Sequence, residues 1–336
     1  MKQTELKILV AMPEGDVRDS FFTGEAAEAA ESLGSVKWNG LGRHYTPEEL
    51  RDALEGIDVC FTGWGVPRLD GPVLQKAKQL KVLAHTGGSV ANICSPELYQ
   101  AGVRVISGNE IYAKSVAEGV IAYMLCALRR LPVYLAMTRD QGWHSGTWHN
   151  EGLLGQSLGL VGFGAISRYL LQILKPFEMR VKVYSRYMSD EEAAELGVQK
   201  AGLEEIFDTC KIVSIHSANT PQNHHLINEG LLKRLRPGAL FVNTARGMIV
   251  DEEALAEELK TGRFTAFLDV YQTEPLPDDS PLRSLENVYL MPHMAGPTID
   301  RRPAVVKGLA DDIASLMAGG GMNLEISEKR AAQMSQ

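Results

Sequence analysis

Three residue types suited to handling acids and protons stand just past apolar runs in the second half of the chain. Arg246 lies in Asn243-Thr-Ala-Arg-Gly247, after the run Ala239 to Val242. Glu274 lies in Leu268-Asp-Val-Tyr-Gln-Thr-Glu-Pro-Leu-Pro277, and His293 in Met291-Pro-His-Met-Ala-Gly296. An arginine brings a permanent charge and a planar fork of donors, and a histidine exchanges protons near neutral pH. Each has an ordinary reading when taken singly: a surface ion pair, a turn cap and a loop histidine. In a doubly wound sheet, however, the carboxyl ends of the strands face the ligand crevice. Strand-end placement therefore predicts that Arg246, Glu274 and His293 converge.

A glycine loop precedes them. Leu158-Gly-Leu-Val-Gly-Phe-Gly-Ala-Ile-Ser167 follows an apolar strand and leads into the apolar helical run Tyr169 to Leu174. Gly162 permits a tight turn, and Gly164 lets the backbone approach a pyrophosphate. The amides of Ala165 and Ile166 would face that anion at the helix N-terminus. Ser167, still small, stands where the fingerprint has its third glycine. An ordinary strand-to-helix turn is the alternative. The fingerprint also expects an acid about 20 residues on, to hold the ribose hydroxyls. Here the strand Val181 to Tyr184 ends in Ser185-Arg186. That pair removes a charge that would repel a 2′-phosphate and supplies a cation that would hold one. The reading favours NADP(H), with NAD(H) as the other possibility.

The elements that must position these groups read as alternating strands and helices. In the first part, Leu6 to Met12, Asp58 to Thr62, Lys81 to His85 and Val103 to Ile106 read as strands, with helices at Glu25 to Leu33, from Thr46 and at Leu69 to Leu80. Ser115 to Leu131 reads as a long apolar helix. Six strands follow, Leu158 to Gly162, Val181 to Tyr184, Ile212 to Ile215, Leu240 to Asn243, Thr265 to Leu268 and Val288 to Met291, and a last helix at Arg302 to Met317. This alternation predicts parallel sheets covered on both faces, the second a dinucleotide-binding unit.

The 336 residues suggest two domains. Net charge is 34 − 42 = −8, which argues against nucleic acid or an anionic membrane as main partner. Cys60, Cys94, Cys126 and Cys210 are scattered and none lies at metal-ligand spacing, so no metal is expected. They read as free thiols in a reducing compartment. The longest apolar stretch, Val120 to Leu128, is below the roughly 18 residues of a membrane span. A soluble, cytoplasmic protein is expected.

Taken in order and spacing, the glycine loop and the Asn-Thr-Ala-Arg-Gly, Glu-Pro-Leu-Pro and Pro-His-x-Ala-Gly segments resemble the D-isomer-specific 2-hydroxyacid dehydrogenases over most of the chain. Ser115-Val-Ala-Glu118 is similar to that family's helix start. His216-x-x-x-Thr220 is similar to its cofactor-lining loop, with Ala218 where proline is common. The resemblance implies an α/β fold of two doubly wound parallel-sheet domains. One is a Rossmann dinucleotide-binding domain over 111–296; the other is a discontinuous, flavodoxin-like substrate domain over 1–110 and 297–336. It implies hydride transfer between NAD(P)H and C2 of a 2-oxo acid or D-2-hydroxy acid, of the glyoxylate or hydroxypyruvate reductase type.

The roles it implies are residue by residue. Arg246 holds the substrate oxygens, His293 moves the proton, and Glu274 orients the imidazole and favours its charged form. Asp269 lies near the nicotinamide carboxamide or ribose, and Thr220, Thr244, Ala245, His293 and Gly296 line the cofactor. The small residues Gly87, Gly88, Ser89 and Val90 expose amides to the substrate carboxylate, although Ala91-Asn92 stands where an acid is common. His85 is either a substrate contact or a packed histidine, and Trp64 either a pocket wall or core. Trp143 and Trp148 belong to an arm at the substrate mouth or a subunit contact, and a homodimer is implied. His224-His225 reads as a solvated pair. Two other readings share the scaffold: a nucleotide-sensing corepressor, and a formate- or phosphite-type dehydrogenase.

Overall fold

Short apolar runs with no alternation form the inner strands of two parallel sheets. The computed structural model describes residues 5–143 and 149–335, and its chain divides into two units, Met1–Tyr112 with Pro297–Gln336, and Ala113–Gly296. In the first unit β1 (Leu6–Val10), β2 (Gly34–Trp38), β3 (Val59–Thr62), β4 (Val82–His85) and β5 (Arg104–Ser107) lie in the order β2-β1-β3-β4-β5. Each of these pairs is parallel. β3 and β4 are buried at every position, as a sheet covered on both faces requires. The connection from β2 to β3 passes over β1, so the order switches at β1 and β3. A ligand crevice in such a sheet opens at that point, beyond the carboxyl ends.

Two expectations for this unit need correcting. The helix over Leu69 to Leu80 shrinks to Gly71–Leu74. Asp70 caps its start, but beyond Leu74 the chain closes three-residue turns, Ala77 N to Leu74 O and Leu80 N to Ala77 O. The edge strand β2 was not expected, because its residues are only half-buried or exposed and carry no apolar run. The helix Pro47–Ala53 starts as read, with a capping box between Thr46 and Glu49.

The second unit holds β6 (Ser157–Val161), β7 (Arg180–Tyr184), β8 (Gln199–Lys200), β9 (Ile212–Ile215), β10 (Leu240–Asn243), β11 (Thr265–Leu268) and β12 (Val288–Leu290). Their order is β12-β11-β10-β9-β6-β7-β8. All six strands read from sequence are present; β8 is a two-residue exposed edge. The long helix runs Asn109–Leu128, so Ser115-Val-Ala-Glu118 lies inside it and not at its start. It ends before Leu131, where Arg130 turns left-handed (φ 51°) and a second helix, Leu131–Arg139, begins. Asn109–Leu128 is long and apolar enough to cross a membrane. In this fold Val116, Val120 and Met124 are buried among Leu160, Val242 and Phe267 of the sheet.

Each unit seals a histidine at a strand end. His85 closes β4 with Nδ1 3.1 Å from the Thr62 hydroxyl. His216 follows β9 with Nε2 2.9 Å from the Ser214 hydroxyl. Burial pushes both imidazoles down to about 4. Between roughly pH 6.5, the unfolded value, and pH 4 the unfolded chain binds more protons, so stability falls as pH falls through that window. At the acid end of the window each histidine costs the fold about 3 kcal/mol relative to neutral pH. Urea midpoints are expected to drop steadily across the window; a flat profile would contradict the burial of both rings.

Candidate active site

Asn243 ends β10 and closes a turn with its own side chain. Its Oδ1 accepts from Ala245 N at 3.1 Å and its Nδ2 donates to Arg246 O at 3.1 Å. The next residue, Gly247, lies directly under the chain that leaves β11; a Cβ there would overlap the Tyr271 carbonyl. This close approach brings Glu274 to Arg246. Burial pushes the Arg246 guanidinium down, while Glu274 pulls it back up. Tyr271 N donates to Glu274 Oε1 at 3.0 Å. The other carboxylate oxygen, Oε2, is 2.7 Å from His293 Nδ1. His293 sits in the left-handed region (φ 55°), and the Tyr271 hydroxyl holds the strand before it through Met291 O at 2.8 Å. Since β10, β11 and β12 are neighbours, the sheet itself brings Arg246, Glu274 and His293 together.

Asp269, the expected neighbour of the cofactor, has both side-chain oxygens engaged by the chain itself. Its side chain is fully buried, and both oxygens face the loop after His293. Oδ1 accepts from Met294 N at 2.8 Å and Oδ2 from Ala295 N at 2.9 Å. The Tyr123 hydroxyl donates to Oδ1 at 3.3 Å. Burial pushes the carboxyl up against these hydrogen bonds, which favour its charged form. In this structure Asp269 therefore anchors the histidine loop.

The glycine loop has the features a dinucleotide pyrophosphate needs. Gly162 takes φ 103°, and a Cβ on it would lie 2.5 Å from Ser217 N. Gly164 faces open space, with nothing within 4 Å of a Cβ. The helix Ala165–Leu174 has no side-chain cap and no acid in its first turn. Its first amides, including Ala165 and Ile166, are thus left for an anion. Ser167 is buried, and its hydroxyl donates to Gly162 O at 2.9 Å, tying the helix to the turn. At the ends of the neighbouring strands, Thr244 Oγ1 and His216 Nδ1 are sealed polar atoms without a partner. An uncapped helix start and two orphaned polar atoms fit a nicotinamide dinucleotide.

The groups past β7 behave differently from each other. The Ser185 oxygen accepts from Tyr187 N and Met188 N inside its own turn. Arg186 donates to Asn223 Oδ1 at 2.5 Å and makes no ion pair among the described residues. Asn223 N in turn donates to Thr220 O at 2.9 Å, so the loop that follows β9 buttresses the arginine. Ala245 lies in the turn before Arg246, with its carbonyl accepting from Arg246 Nη1 at 2.7 Å. Gly296 ends the histidine loop and is half-buried.

In the first unit, Gly87 to Val90 follow β4. The Gly87 carbonyl accepts from Gly108 N at 3.1 Å and the Gly88 carbonyl from the Ser107 hydroxyl at 3.2 Å. Their own amides, and those of Ser89 and Val90, have no acceptor among the described residues. Ser89 turns its hydroxyl to Ser335 O at 2.6 Å, and the Val90 side chain is in the core. The loop can therefore offer backbone amides, and not these side chains, to an anion. His85 is the packed histidine of the two readings. Trp64 is 47% exposed. Trp143 is exposed; Trp148 lies outside the described residues. His225 is half-buried and its Nε2 lies 2.6 Å from Gln272 Nε2, which corrects the reading of a solvated pair.

Residues 121–295 match the model of the D-isomer specific 2-hydroxyacid dehydrogenase, NAD binding domain. The chain belongs to the D-isomer specific 2-hydroxyacid dehydrogenase family. The glyoxylate reductase of Korarchaeum cryptofilum is 32% identical over 83% of this chain and 86% of its own length. The D-3-phosphoglycerate dehydrogenase of Methanocaldococcus jannaschii is 31% identical over 88% of this chain and 56% of its own. The chain spans about half the length of the phosphoglycerate dehydrogenases it matches. The crystal structure of the TT0316 protein from Thermus thermophilus has a TM-score of 0.78 and 28% identity, covering 96% of this chain and all of that one. Within the family fold, the two sheets are a Rossmann sheet and a doubly wound substrate-domain sheet.

Sequence reasoning missed the groups that hold the family's signature residues in place. Asn243 and Gly247 were visible as part of the Asn-Thr-Ala-Arg-Gly segment, but their jobs depend on what packs against them. Tyr271 had a signal in its position three before Glu274. Tyr123 had none: it is one aromatic in an apolar helix, stacked on Phe267 at 4.3 Å.

Proposed function

We propose that this family member is an NAD(P)H-dependent oxidoreductase that interconverts a small 2-oxo acid and its D-2-hydroxy acid, of the glyoxylate or hydroxypyruvate type. The observation that carries the reading is the 2.7 Å pair of His293 Nδ1 and Glu274 Oε2, beside the half-buried Arg246, which makes no ion pair among the described residues. The dinucleotide, when bound, supplies or takes up the hydride. Arg246 binds the oxygens of the acid and stabilises negative charge as it grows on the ketone oxygen. With Nδ1 donating to Glu274, the free Nε2 of His293 is the atom that passes a proton to that oxygen. In the reverse direction Nε2 takes the hydroxyl proton. Tyr271 N and Glu274 hold the ring so that the correct nitrogen faces outward. The names of the relatives above support a 2-oxo acid of this class.

NADP(H) is the preferred cofactor in this reading. Arg186 is fixed by a neutral amide and has no carboxylate to neutralise it among the described residues, which leaves its charge for a 2′-phosphate. Reduction of glyoxylate, hydroxypyruvate and pyruvate with NADPH and with NADH tests both statements. Turnover of at least one acid is expected, with NADPH favoured by about tenfold or more, and Arg186→Gln is expected to erase that preference. Cofactor binding without turnover of any acid would favour a sensor, and an NADH preference would remove the role of Arg186.

A homodimer is also proposed. The helix Leu131–Arg139 buries none of its residues, and Leu131 and Leu135, one turn apart on the same face, are both exposed. Such a stripe is a self-association surface; a monomer by light scattering at micromolar concentration would remove it. The four free thiols fit a reducing, cytoplasmic compartment, which cell fractionation would check.

A further inference from the structure

An arginine without an anion stands in an aromatic cluster at the switch point of the first unit's sheet. Phe21 ends the helix after β1, and Trp64 follows β3, the two strands where the order reverses. Arg302, in the first turn of the helix Arg302–Met317, lies over the Phe21 ring at 5.5 Å. Phe21 meets Trp64 edge-on at 5.7 Å, and Trp64 meets Tyr112 at 6.3 Å. The Tyr112 ring also lies 3.8 Å from where a Cβ on Gly88 would stand, in the loop whose amides lack acceptors among the described residues.

Two polar atoms in this cluster are sealed and unpaired: Tyr112 Oη and Arg302 Nε. They belong to one electrostatic neighbourhood. Burial pushes the Tyr112 hydroxyl up, and the Arg302 charge pulls it back. The polar partner of the guanidinium is the Ser20 hydroxyl, 2.9 Å from Nη1. Among the described residues no carboxylate lies within ion-pair distance of it, and Nη2 has no partner. A half-buried guanidinium with a spare corner, beside an unpaired phenol, lacks an acceptor.

We infer that this unit binds its acid at two anionic ends: the carboxylate on the amides of Gly87 to Val90, and a second anionic group on Arg302, with Tyr112 between them and Trp64 as the exposed wall. Within the 2-oxo acid class of the dehydrogenase reading, the preferred substrate is therefore a short dianionic acid in place of the monoanionic glyoxylate or hydroxypyruvate, its far group a second carboxylate or a phosphate monoester. Either group matches the planar donor fork of arginine. This inference deepens the dehydrogenase reading and rests on it for the word substrate; the binding site itself does not.

The kinetic arm compares kcat/KM for oxaloacetate, 2-oxoglutarate and 3-phosphohydroxypyruvate with that for pyruvate and 2-oxobutyrate. A dianionic acid is expected to be favoured, the first two or the third according to which far group fits. Arg302→Met is expected to lower the dianion-to-monoanion ratio by about tenfold or more, and Arg302→Lys by less. Tyr112→Phe, which keeps the ring, is expected to lower it several-fold. A wild-type preference for monoanionic acids, or a ratio that Arg302→Met leaves in place, would overturn the inference.

The second arm needs no turnover. Titration with glutarate is expected to give a saturable change in tryptophan fluorescence that butyrate does not give, that Trp64→Phe abolishes, and that Arg302→Met weakens about tenfold or more. Equal responses to glutarate and butyrate, or no response, would overturn the site. No turnover of any acid together with a glutarate response would instead sink the dehydrogenase reading and leave the dianion site standing. Thermal melts of the variants separate loss of the site from loss of the fold.

Discussion

His293→Gln is expected to lower kcat for oxo acid reduction by about 10²- to 10⁴-fold, the usual contribution of a positioned general acid. The dissociation constant of the dinucleotide is expected to stay within a few-fold of wild type. Glutamine keeps a polar side chain of similar size but cannot release a proton. Glu274→Gln is expected to fall between the two proteins, because its amide can still meet the ring but no longer carries the charge that matches an imidazolium. The check is a steady-state kcat and a fluorescence titration of NADPH on the same preparations. An unchanged kcat would take His293 out of the proton transfer, and a lost dinucleotide affinity would make the residue a binding group.

Gly247→Ala is expected to damage stability and turnover together. The new methyl would overlap the main-chain carbonyl of Tyr271, and main chain cannot rotate aside as a long side chain can. Relieving the overlap moves Tyr271, whose amide holds Glu274 and whose hydroxyl holds the strand before His293. A loss of about 1–3 kcal/mol and a drop of at least about tenfold in kcat are expected, read by urea denaturation and steady-state kinetics. Gly40→Ala is the control, since nothing lies within 4 Å of a Cβ there. If Gly247→Ala and Gly40→Ala behave alike, the close approach of the two chains is not what assembles the site.

The contrast between what was and was not legible runs through particular residues. The inner strands β6, β9, β10 and β11 could be read because a strand buried on both faces is a short apolar run bounded by turn residues, and the less buried β7 and β12 still carry Val, Tyr or Leu in short runs. The edges β2 and β8 could not: β2 is nowhere more than half-buried and β8 is fully exposed, and their pairing partner is set elsewhere in the chain. Leu69 to Leu80 had the composition of a helix, but only Gly71–Leu74 forms one. The glycine loop was legible down to the amides of Ala165 and Ile166, since turn, strand and helix start are all local. Asp269 was read as a cofactor neighbour from its place in a motif. Its partners, Met294 N and Ala295 N, lie some 25 positions further on, and no local pattern records them.

The sequence by itself determined the family, the α/β class, the glycine loop and the identities of Arg246, Glu274 and His293. Those depend on residue type, apolar runs and order along the chain. Tertiary structure alone decided which nitrogen of His293 is held, where Asp269 spends its oxygens, and that Arg302, Tyr112 and Trp64 share one place. Contacts between residues some 20 to 190 positions apart arise from strand order and packing, and a chain read in one dimension does not contain them.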